Sequence, residues 1–279
     1  MSGTTDDNLA NECSVFALDL VRQAGAIVKK GFEELTKTVN TKSGSWDLVT
    51  EYDSKVENLL ITSITDKYPD HLFIAEETMA DEVLTDAPTW IIDPIDGTNN
   101  FVHGIPFTAI SVAFALKKQL QIGIVYNPIM NEMYTARLGQ GAYLNGNAIA
   151  VSSATTLDES IYCHEVSLAR REGIRDKHMK RVYKLAACCQ GVRAFGCAAL
   201  TLSYVARGSI DCYHIDDLYP WDVAAGALLI TEAGGKIYKS NGAPYDIMDP
   251  NIVCAGTDQL CKELIEALNG ADTLHLRLE

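Results

Sequence analysis

The first part of the chain has the apolar periodicity of amphipathic helices. Apolar residues recur every three or four positions over residues 9–35, and a similar stripe covers residues 48–68 and stops before Pro69. Residues 36–45 lie between them, contain Lys, Ser and Gly, and have no such period. The pattern therefore predicts two long helices joined by a loop. Asp53 falls near the start of the second helix, where a carboxylate can satisfy free N–H groups.

Shorter apolar runs follow and predict strands. The run at 72–75 precedes Glu76 and Glu77, so two acids come directly after a strand. Asn145-Gly146 is a hairpin turn signal between two further runs. Strands that follow each other with short connections favour an antiparallel sheet. The other predicted strands of this sheet cover residues 90–92, 109–116, 121–126, 133–136, 142–144 and 148–151.

The second half of the chain alternates strands with helices, which predicts an α/β arrangement. One helix is opened by Asp222 and ends at Gly234-Gly235, and Asn269-Gly270 is expected to stop the last helix. We divide the chain into a first α+β half, residues 1–151, and a second α/β half, residues 152–279, within one structural unit. The predicted strands are 161–165, 191–195, 210–215 and 252–255, and the other helices are 175–189, 198–207 and 259–268.

Composition excludes some classes of function. A net charge of −14 provides no basic stripe for nucleic acid. No segment approaches the 18 or more uninterrupted apolar residues of a membrane span, and the first residues resemble neither a signal nor a transit peptide. The eight cysteines form no Cys-x-x-Cys pair, so we interpret them as reduced thiols. These features predict a cytoplasmic protein that binds neither membrane nor nucleic acid.

The chemistry is expected where the apolar strand 90–92 ends in two carboxylates, Asp93 and Asp96. Pro94 stiffens the turn between them, and Gly97 permits a sharp turn or close approach to a ligand. Two carboxylates and the Ile95 carbonyl are hard oxygen ligands of the kind that Mg²⁺ prefers. The N–H groups that follow can bind a phosphate.

Three interpretations of this stretch compete. The acids can simply cap a polar turn, as most Asp-Gly pairs do. They can belong to a phosphatase with an aspartate nucleophile, but that motif sets its acids two residues apart rather than three. They can hold metal ions in a phosphatase whose nucleophile is water. The spacing of Asp93 and Asp96 favours the third interpretation.

Two motifs, about 130 residues apart, together identify a family. Asp93-Pro-Ile-Asp-Gly-Thr98 with Asn100-Phe101, and Trp221-Asp-Val-Ala-Ala-Gly226, resemble the inositol monophosphatase family. Glu76-Glu77 and Thr231-Glu-Ala-Gly-Gly235 match as well, and the likeness covers residues 9–266. The resemblance implies a layered α-β-α-β-α fold, with an antiparallel first sheet and a mixed second sheet.

The resemblance also implies the roles of individual residues. Thr98 and Glu76 are expected to orient and deprotonate the attacking water, with Asp53 as a supporting group. The N–H groups of Gly97 and Thr98 are expected to cradle the phosphate. The implied ligands of two or three Mg²⁺ ions are Glu76, Asp93, the Ile95 carbonyl, Asp96 and Asp222. The implied contacts to the substrate ring are Gly196, Cys197 and Ala198.

One position departs from the family pattern. A Glu that binds ring hydroxyls usually stands seven residues before the second motif's Asp, but this chain has Ile215 there, followed by Asp216. We expect Asp216 to take over this contact, although a one-residue shift on a regular strand points a side chain to the other face. The departure puts the preference for inositol in doubt.

The sequence thus predicts Mg²⁺-dependent hydrolysis of a small phosphomonoester by a metal-activated water, with myo-inositol monophosphate as the preferred substrate. Histidinol phosphate, fructose bisphosphate and nucleotide bisphosphates are alternative substrates within the same chemistry. A metal-binding regulatory module without catalysis is the alternative from another class. The resemblance further implies inhibition by Li⁺ and a homodimer.

Overall fold

A computed structural model describes residues 2–42 and 44–275. No helix within these ranges is long and apolar enough to cross a membrane. Two short 3₁₀ helices cover Leu157–Glu159 and Val166–Arg170. The α-helices are α1 (Ser2–Glu33), α2 (Glu51–Lys67), α3 (Thr98–Val102), α4 (Glu172–Ala186), α5 (Ala198–Ala206), α6 (Pro220–Glu232) and α7 (Asp258–Asp272).

The strands form a two-stranded ribbon and two larger sheets. The ribbon pairs β1 (Val39–Thr41) with β2 (Leu48–Thr50). Seven strands in the order of the chain make the first sheet: β3 (Leu72–Ala75), β4 (Thr89–Asp96), β5 (Ala109–Leu116), β6 (Gln119–Asn127), β7 (Glu132–Arg137), β8 (Ala142–Leu144) and β9 (Asn147–Ala148). The strands of the second sheet are β10 (Ile161–His164), β11 (Gly191–Arg193), β12 (Cys212–Ile215), β13 (Lys236–Tyr238) and β14 (Ile252–Ala255).

The two larger sheets differ in the directions of their strands. The first sheet is antiparallel apart from β3 and β4, which run parallel, so both of these strands end at the same edge. The second sheet has the order β11-β10-β12-β14-β13 and is mixed: β11, β10 and β12 are parallel, whereas β12, β14 and β13 are antiparallel.

Helices separate and cover the two sheets. Helices α1 and α2 pack on one face of the first sheet, α5 and α6 lie between the sheets, and α4 and α7 cover the second sheet. This arrangement confirms the predicted α-β-α-β-α layers. All residues of β5 are buried, as expected for a strand covered by helices on both faces. One hydrophobic cluster joins side chains of both sheets with those of α5 and α6.

Close packing fixes α6 against the first sheet. A Cβ atom built on Gly123 of β6 would lie 2.6 Å from the backbone oxygen of Ala225 on α6. On the other side of α6, a Cβ atom on Gly226 would lie 2.5 Å from the Cβ of Leu202 on α5. Larger side chains would therefore force α6 away from its neighbours, and the acid in its first turn would move with it.

Several element ends differ from the sequence prediction. The last helix does not stop at Asn269-Gly270 but continues to Asp272. Its continuation buries Ala271, which outweighs the helix cost of a glycine, about 1 kcal/mol. The loop predicted at 36–45 contains β1, and the short strand β13 was not predicted at all.

Candidate active site

Three aspartates from two distant segments meet at the end of β4. The strand continues through Asp93 to Asp96, with a register shift against β5 between the two acids. This irregularity, which includes Pro94, turns both carboxylates toward the first turn of α6. Carboxylate oxygens of Asp93, Asp96 and Asp222 all lie within 4.8 Å of one another.

Glu76 adjoins this trio from the neighbouring strand. The parallel register pairs Ala75 of β3 with Ile92 of β4, so the next residues, Glu76 and Asp93, come side by side. Glu76 is also held by Lys42, whose Nζ lies 2.8 Å from Glu76 Oε1 and 2.7 Å from Glu77 Oε1. Burial lowers the pKa of Lys42, but the two carboxylates outweigh it and the pKa is raised.

The three clustered aspartates, Asp93, Asp96 and Asp222, are buried and repel one another, so a bound cation would stabilise their charged forms. Burial, together with the charges of Glu76, Asp96 and Asp222, raises the pKa of Asp93 well above its ordinary value. Burial likewise raises the pKa of Asp96 to about 7, although the Ala199 N–H and the Cys197 thiol favour its charged form. The pKa of Asp222 is also raised, by burial and by Asp96. Because these groups are all oxygen donors that repel one another, a divalent cation fits this donor set.

Asp222 combines a capping role with its place in the trio. Helix α6 begins at Pro220, two residues earlier than the sequence predicted, so Asp222 lies in the third helical position. Its Oδ2 accepts the N–H of Tyr219 at 2.8 Å. This hydrogen bond fixes the side chain but leaves the other carboxylate oxygen for a ligand.

A series of hydrogen bonds links Asp53 to the loop that contains Ile95 and Thr98. Asp53 caps α2, as predicted: its Oδ2 accepts the N–H and the hydroxyl of Thr50 at 2.8 and 2.6 Å. Its Oδ1 lies 3.3 Å from Thr98 Oγ1, which is 2.9 Å from the carbonyl oxygen of Ile95. Burial raises the pKa of Asp53 to about 6, despite the hydrogen bonds from Thr50.

The loop before α5 joins the two halves of the site. Cys197 Sγ and the N–H of Ala199 lie 3.1 and 2.6 Å from Asp96 Oδ2. Gly97 has a positive φ of 82°, and a Cβ atom there would lie 3.1 Å from the carbonyl oxygen of Gly196. The motif loop and the loop at Gly196, Cys197 and Ala198 therefore pack directly against each other.

Part of this site lines one cavity of about 290 Å³. Glu76, Asp96 and Asp222 lie on its wall together with Gly97, Thr98 and the loop 196–198. A larger cavity of about 800 Å³, lined largely by side chains of β6, α6 and residues 244–248, contains none of the clustered acids. We therefore assign the candidate active site to the smaller cavity, because it contains clustered acids and the larger cavity does not.

Asp216 is not brought to this site. Its Oδ2 lies 2.8 Å from Arg181 Nη1 and 3.5 Å from Lys177 Nζ, in a separate cavity of about 420 Å³. Burial would raise the pKa of Asp216, but hydrogen bonds and charge from His214, Ser240 and Arg181 lower it. Ile215, by contrast, lines the candidate active site. Neighbouring residues at the end of β12 thus point to opposite faces, as on a regular strand.

Part of the cavity's rim is formed by residues that the sequence did not predict to belong to the site. Glu165, Arg170 and Arg171 come from the segment after β10, and none of them belongs to a motif. The guanidinium of Arg170 lies 5.2 Å from the ring centroid of Trp46, whose carbonyl accepts a 2.8 Å hydrogen bond from Asn99. The only signal in the sequence was that Glu165, like Asp93, follows a buried strand.

The layered α-β-α-β-α fold places buried acids that suit a divalent cation at the end of a strand. Comparison with known proteins identifies the family. A model of the inositol monophosphatase family matches residues 10–272, and the chain belongs to this family. It is therefore a phosphatase of a metal-dependent family.

Similar proteins include both curated relatives and solved structures. Inositol monophosphatase 1 of Homo sapiens is 40% identical over 263 residues, which cover 92% of this chain and 94% of that protein. A Thermotoga maritima IMPase superposes with a TM-score of 0.82 at 31% identity, over 92% of this chain and 96% of the other. An inositol monophosphate-bound IMPase-II of Staphylococcus aureus gives 0.79 at 27% identity, over 91% and 93%.

Proposed function

We propose that this protein hydrolyses a small phosphomonoester in the presence of Mg²⁺, and that myo-inositol monophosphate is its preferred substrate. The single observation that carries the proposal is the trio of mutually repelling aspartates, two of which, Asp96 and Asp222, line a cavity. The names of the similar proteins support the choice of substrate, since the curated relatives are inositol monophosphatases and the staphylococcal structure contains inositol monophosphate.

Two or three Mg²⁺ ions would be held by Glu76, Asp93, the Ile95 carbonyl, Asp96 and Asp222. Bound there, they would supply positive charge to the phosphate and lower the pKa of a water molecule. The donor set consists of carboxylates and a carbonyl, without His or Cys ligands, which favours Mg²⁺ over Zn²⁺. Asp93 is 1% exposed and Asp96 is 9% exposed, so these carboxylates gain most when a cation neutralises them.

Thr98 and Asp53 would position the attacking water, with Glu76 as the acceptor of its proton. The Thr98 hydroxyl lies between Asp53 Oδ1 and the Ile95 carbonyl oxygen, and this arrangement holds its oxygen in one orientation. The pKa of Asp53 is raised to about 6, so the carboxylate is mostly ionised at neutral pH and accepts hydrogen bonds. Glu76 lies between Lys42 and the trio, within reach of both.

The phosphate and the leaving group would occupy opposite parts of the cavity. The N–H groups of Gly97 and Thr98, next to the aspartates, would bind phosphate oxygens. Gly196, Cys197 and Ala198 would contact the leaving group. Burial and the charge of Asp96 raise the pKa of the Cys197 thiol well above its ordinary value, which supports a packing role for Cys197 and not a nucleophilic one.

The finer features of the proposal concern assembly, location and inhibition. We propose a cytoplasmic homodimer inhibited by Li⁺, in line with the sequence prediction. We also propose that residues 1–151 and 152–279 form one structural unit. The hydrophobic cluster that joins both sheets through α5 and α6 supports this, because two independent domains would each have a separate core.

A substrate panel tests the proposed function. The purified protein would be assayed for phosphate release from inositol 1-phosphate, histidinol phosphate, fructose 1,6-bisphosphate and adenosine 3′,5′-bisphosphate, each with Mg²⁺ and with EDTA. We expect release only with Mg²⁺ and the highest kcat/KM for inositol 1-phosphate. A higher kcat/KM for one of the other esters would contradict the choice of substrate. Equal rates in EDTA would contradict the metal requirement.

A further inference from the structure

Glu165 is a buried carboxylate on the wall of the candidate active site, beside the loop whose residues contact Asp96. It follows β10, which pairs with β12 in parallel, with His164 opposite His214. One residue further, this register brings Glu165 beside Ile215, and both residues line the candidate active site. Paired residues of parallel strands point to the same face of a sheet, so the two side chains enter the cavity together.

The surroundings of Glu165 leave part of its hydrogen-bonding capacity facing the cavity. The residue is 6% exposed. Its Oε2 accepts the N–H of Gly196 at 3.0 Å, and its Oε1 accepts the N–H of Phe195 at 3.4 Å. A carboxyl group has more acceptor positions than these two hydrogen bonds use, so they do not saturate it. A hydroxyl group that enters the cavity next to Gly196 could donate to the remaining positions.

The segments after β10 and β12 contribute two other side-chain acceptors to the cavity wall, the uncharged hydroxyls of Ser167 and Tyr219. Ile215 and Leu218 are apolar, and Arg170 and Arg171 have only donors. Asp96 and Asp222 belong to the proposed cation site and face the phosphate. Glu165 is therefore the acidic acceptor of the β10–β12 wall, held in place by the same loop that would contact the leaving group.

We propose that Glu165 is a specificity-determining residue, which accepts a hydrogen bond from a hydroxyl group of a polyol leaving group. This inference rests on the proposed function and specifies its substrate class, phosphomonoesters of polyhydroxylated alcohols. A hydroxyl contact made equally before and during reaction changes KM and leaves kcat unchanged.

A purely structural role is the alternative, because Glu165 also supports the loop before α5. Asn100 supports the same loop from the other side: its Nδ2 donates to the carbonyl oxygens of Phe195 and Phe107 at 2.7 and 2.8 Å. Asn100→Ser therefore serves as a matched control, which disturbs the loop without removing a cavity carboxylate. A disturbed loop should impair all substrates alike.

The experiment compares Glu165→Gln with wild type on two substrates, inositol 1-phosphate and phenyl phosphate, which has no hydroxyl on its leaving group. Gln keeps an acceptor for the Gly196 N–H but loses the charge. We expect KM for inositol 1-phosphate to rise about 10-fold, the effect of losing a charged hydrogen-bond partner. We expect kcat/KM for phenyl phosphate to stay within about twofold of wild type, whereas Asn100→Ser should lower kcat/KM for both substrates.

A second variant adds a rescue. Ile215→Glu in the Glu165→Gln background returns a carboxylate to the same wall and should recover part of the lost affinity for inositol 1-phosphate. Equal losses on both substrates for Glu165→Gln, or no rescue by Ile215→Glu, would overturn the inference but not the proposed function. Failure of the wild-type protein to hydrolyse either ester would instead overturn the proposed function.

Discussion

Replacing Asp96 with Asn should change stability in opposite directions with and without Mg²⁺. In the metal-free protein, burial raises the pKa of Asp96 from 3.8 to about 7. At about 1.4 kcal/mol per pKa unit, the ionised carboxylate costs about 4 kcal/mol of folding free energy above neutral pH. Asn has the same shape, keeps an acceptor for the Ala199 N–H and removes the charge. We therefore expect metal-free Asp96→Asn to be more stable than wild type by about 2–4 kcal/mol.

Thermal unfolding by calorimetry at about pH 8 measures this difference, since about 2 °C of Tm corresponds to 1 kcal/mol in a chain of this size. In EDTA, the Tm of Asp96→Asn should exceed that of wild type by about 4–8 °C. With Mg²⁺ at about 100 times its dissociation constant, wild type should gain about 2.7 kcal/mol and the variant much less. Phosphate release should fall at least about 100-fold in the variant, because a cation ligand is lost.

A matched control and a clear contradiction accompany this prediction. Asp176→Asn removes an exposed carboxylate on α4 and should change neither Tm nor turnover. If Asp96→Asn were less stable than wild type in EDTA, the carboxylate would not lie in a repulsive cluster. If the variant kept most of its turnover, Asp96 would not be a ligand. Either result would show that Asp96 does not belong to a cation site.

Three further predictions follow from the charges. The raised pKa values of Asp96 (about 7) and Asp53 (about 6) make the folded state bind more protons than the unfolded state. The Tm of the metal-free protein should therefore fall as pH rises from about 4 to about 7. A Tm that rises over this window would contradict the pKa shifts. Arg181→Met should lower the free energy of unfolding, measured in urea, by about 3 kcal/mol, because the buried guanidinium pairs with Asp216 and Asp272. An unchanged urea midpoint of unfolding would show that these ion pairs contribute nothing to stability. Asp216→Asn should leave KM for inositol 1-phosphate within about twofold of wild type, and a 10-fold rise would return Asp216 to the substrate site.

The acidic half of the candidate site could be predicted from the sequence because each acid follows a recognisable element. Asp93 and Glu76 come directly after apolar runs that form neighbouring parallel strands, and Asp222 lies in the first turn of a helix. Strands that end at one edge bring the residues after them together, so local pattern was sufficient to expect convergence. The α-β-α-β-α layers followed from the family resemblance and from the change of element pattern near residue 151.

The wall formed by the segments after β10 and β12 could not be predicted, because it depends on register and on strand ends. The position of Glu165 depends on the parallel pairing of β10 with β12, two strands that α4, β11 and α5 separate in the chain. The orientation of Asp216 depends on whether β12 stays regular to its last residue, which no residue pattern reveals. The end of α7 depends on the burial of Ala271, a tertiary effect that overrides the local stop signal.

The central claim is that Asp93, Asp96 and Asp222 converge to hold divalent cations. Anomalous X-ray diffraction from crystals grown with Mn²⁺, which replaces Mg²⁺ at oxygen ligands, tests it most directly. The strongest manganese peak is expected between these three carboxylates, and this peak should be lost in Asp96→Asn crystals. A manganese peak at other residues only, from protein that is active with Mn²⁺, would contradict it.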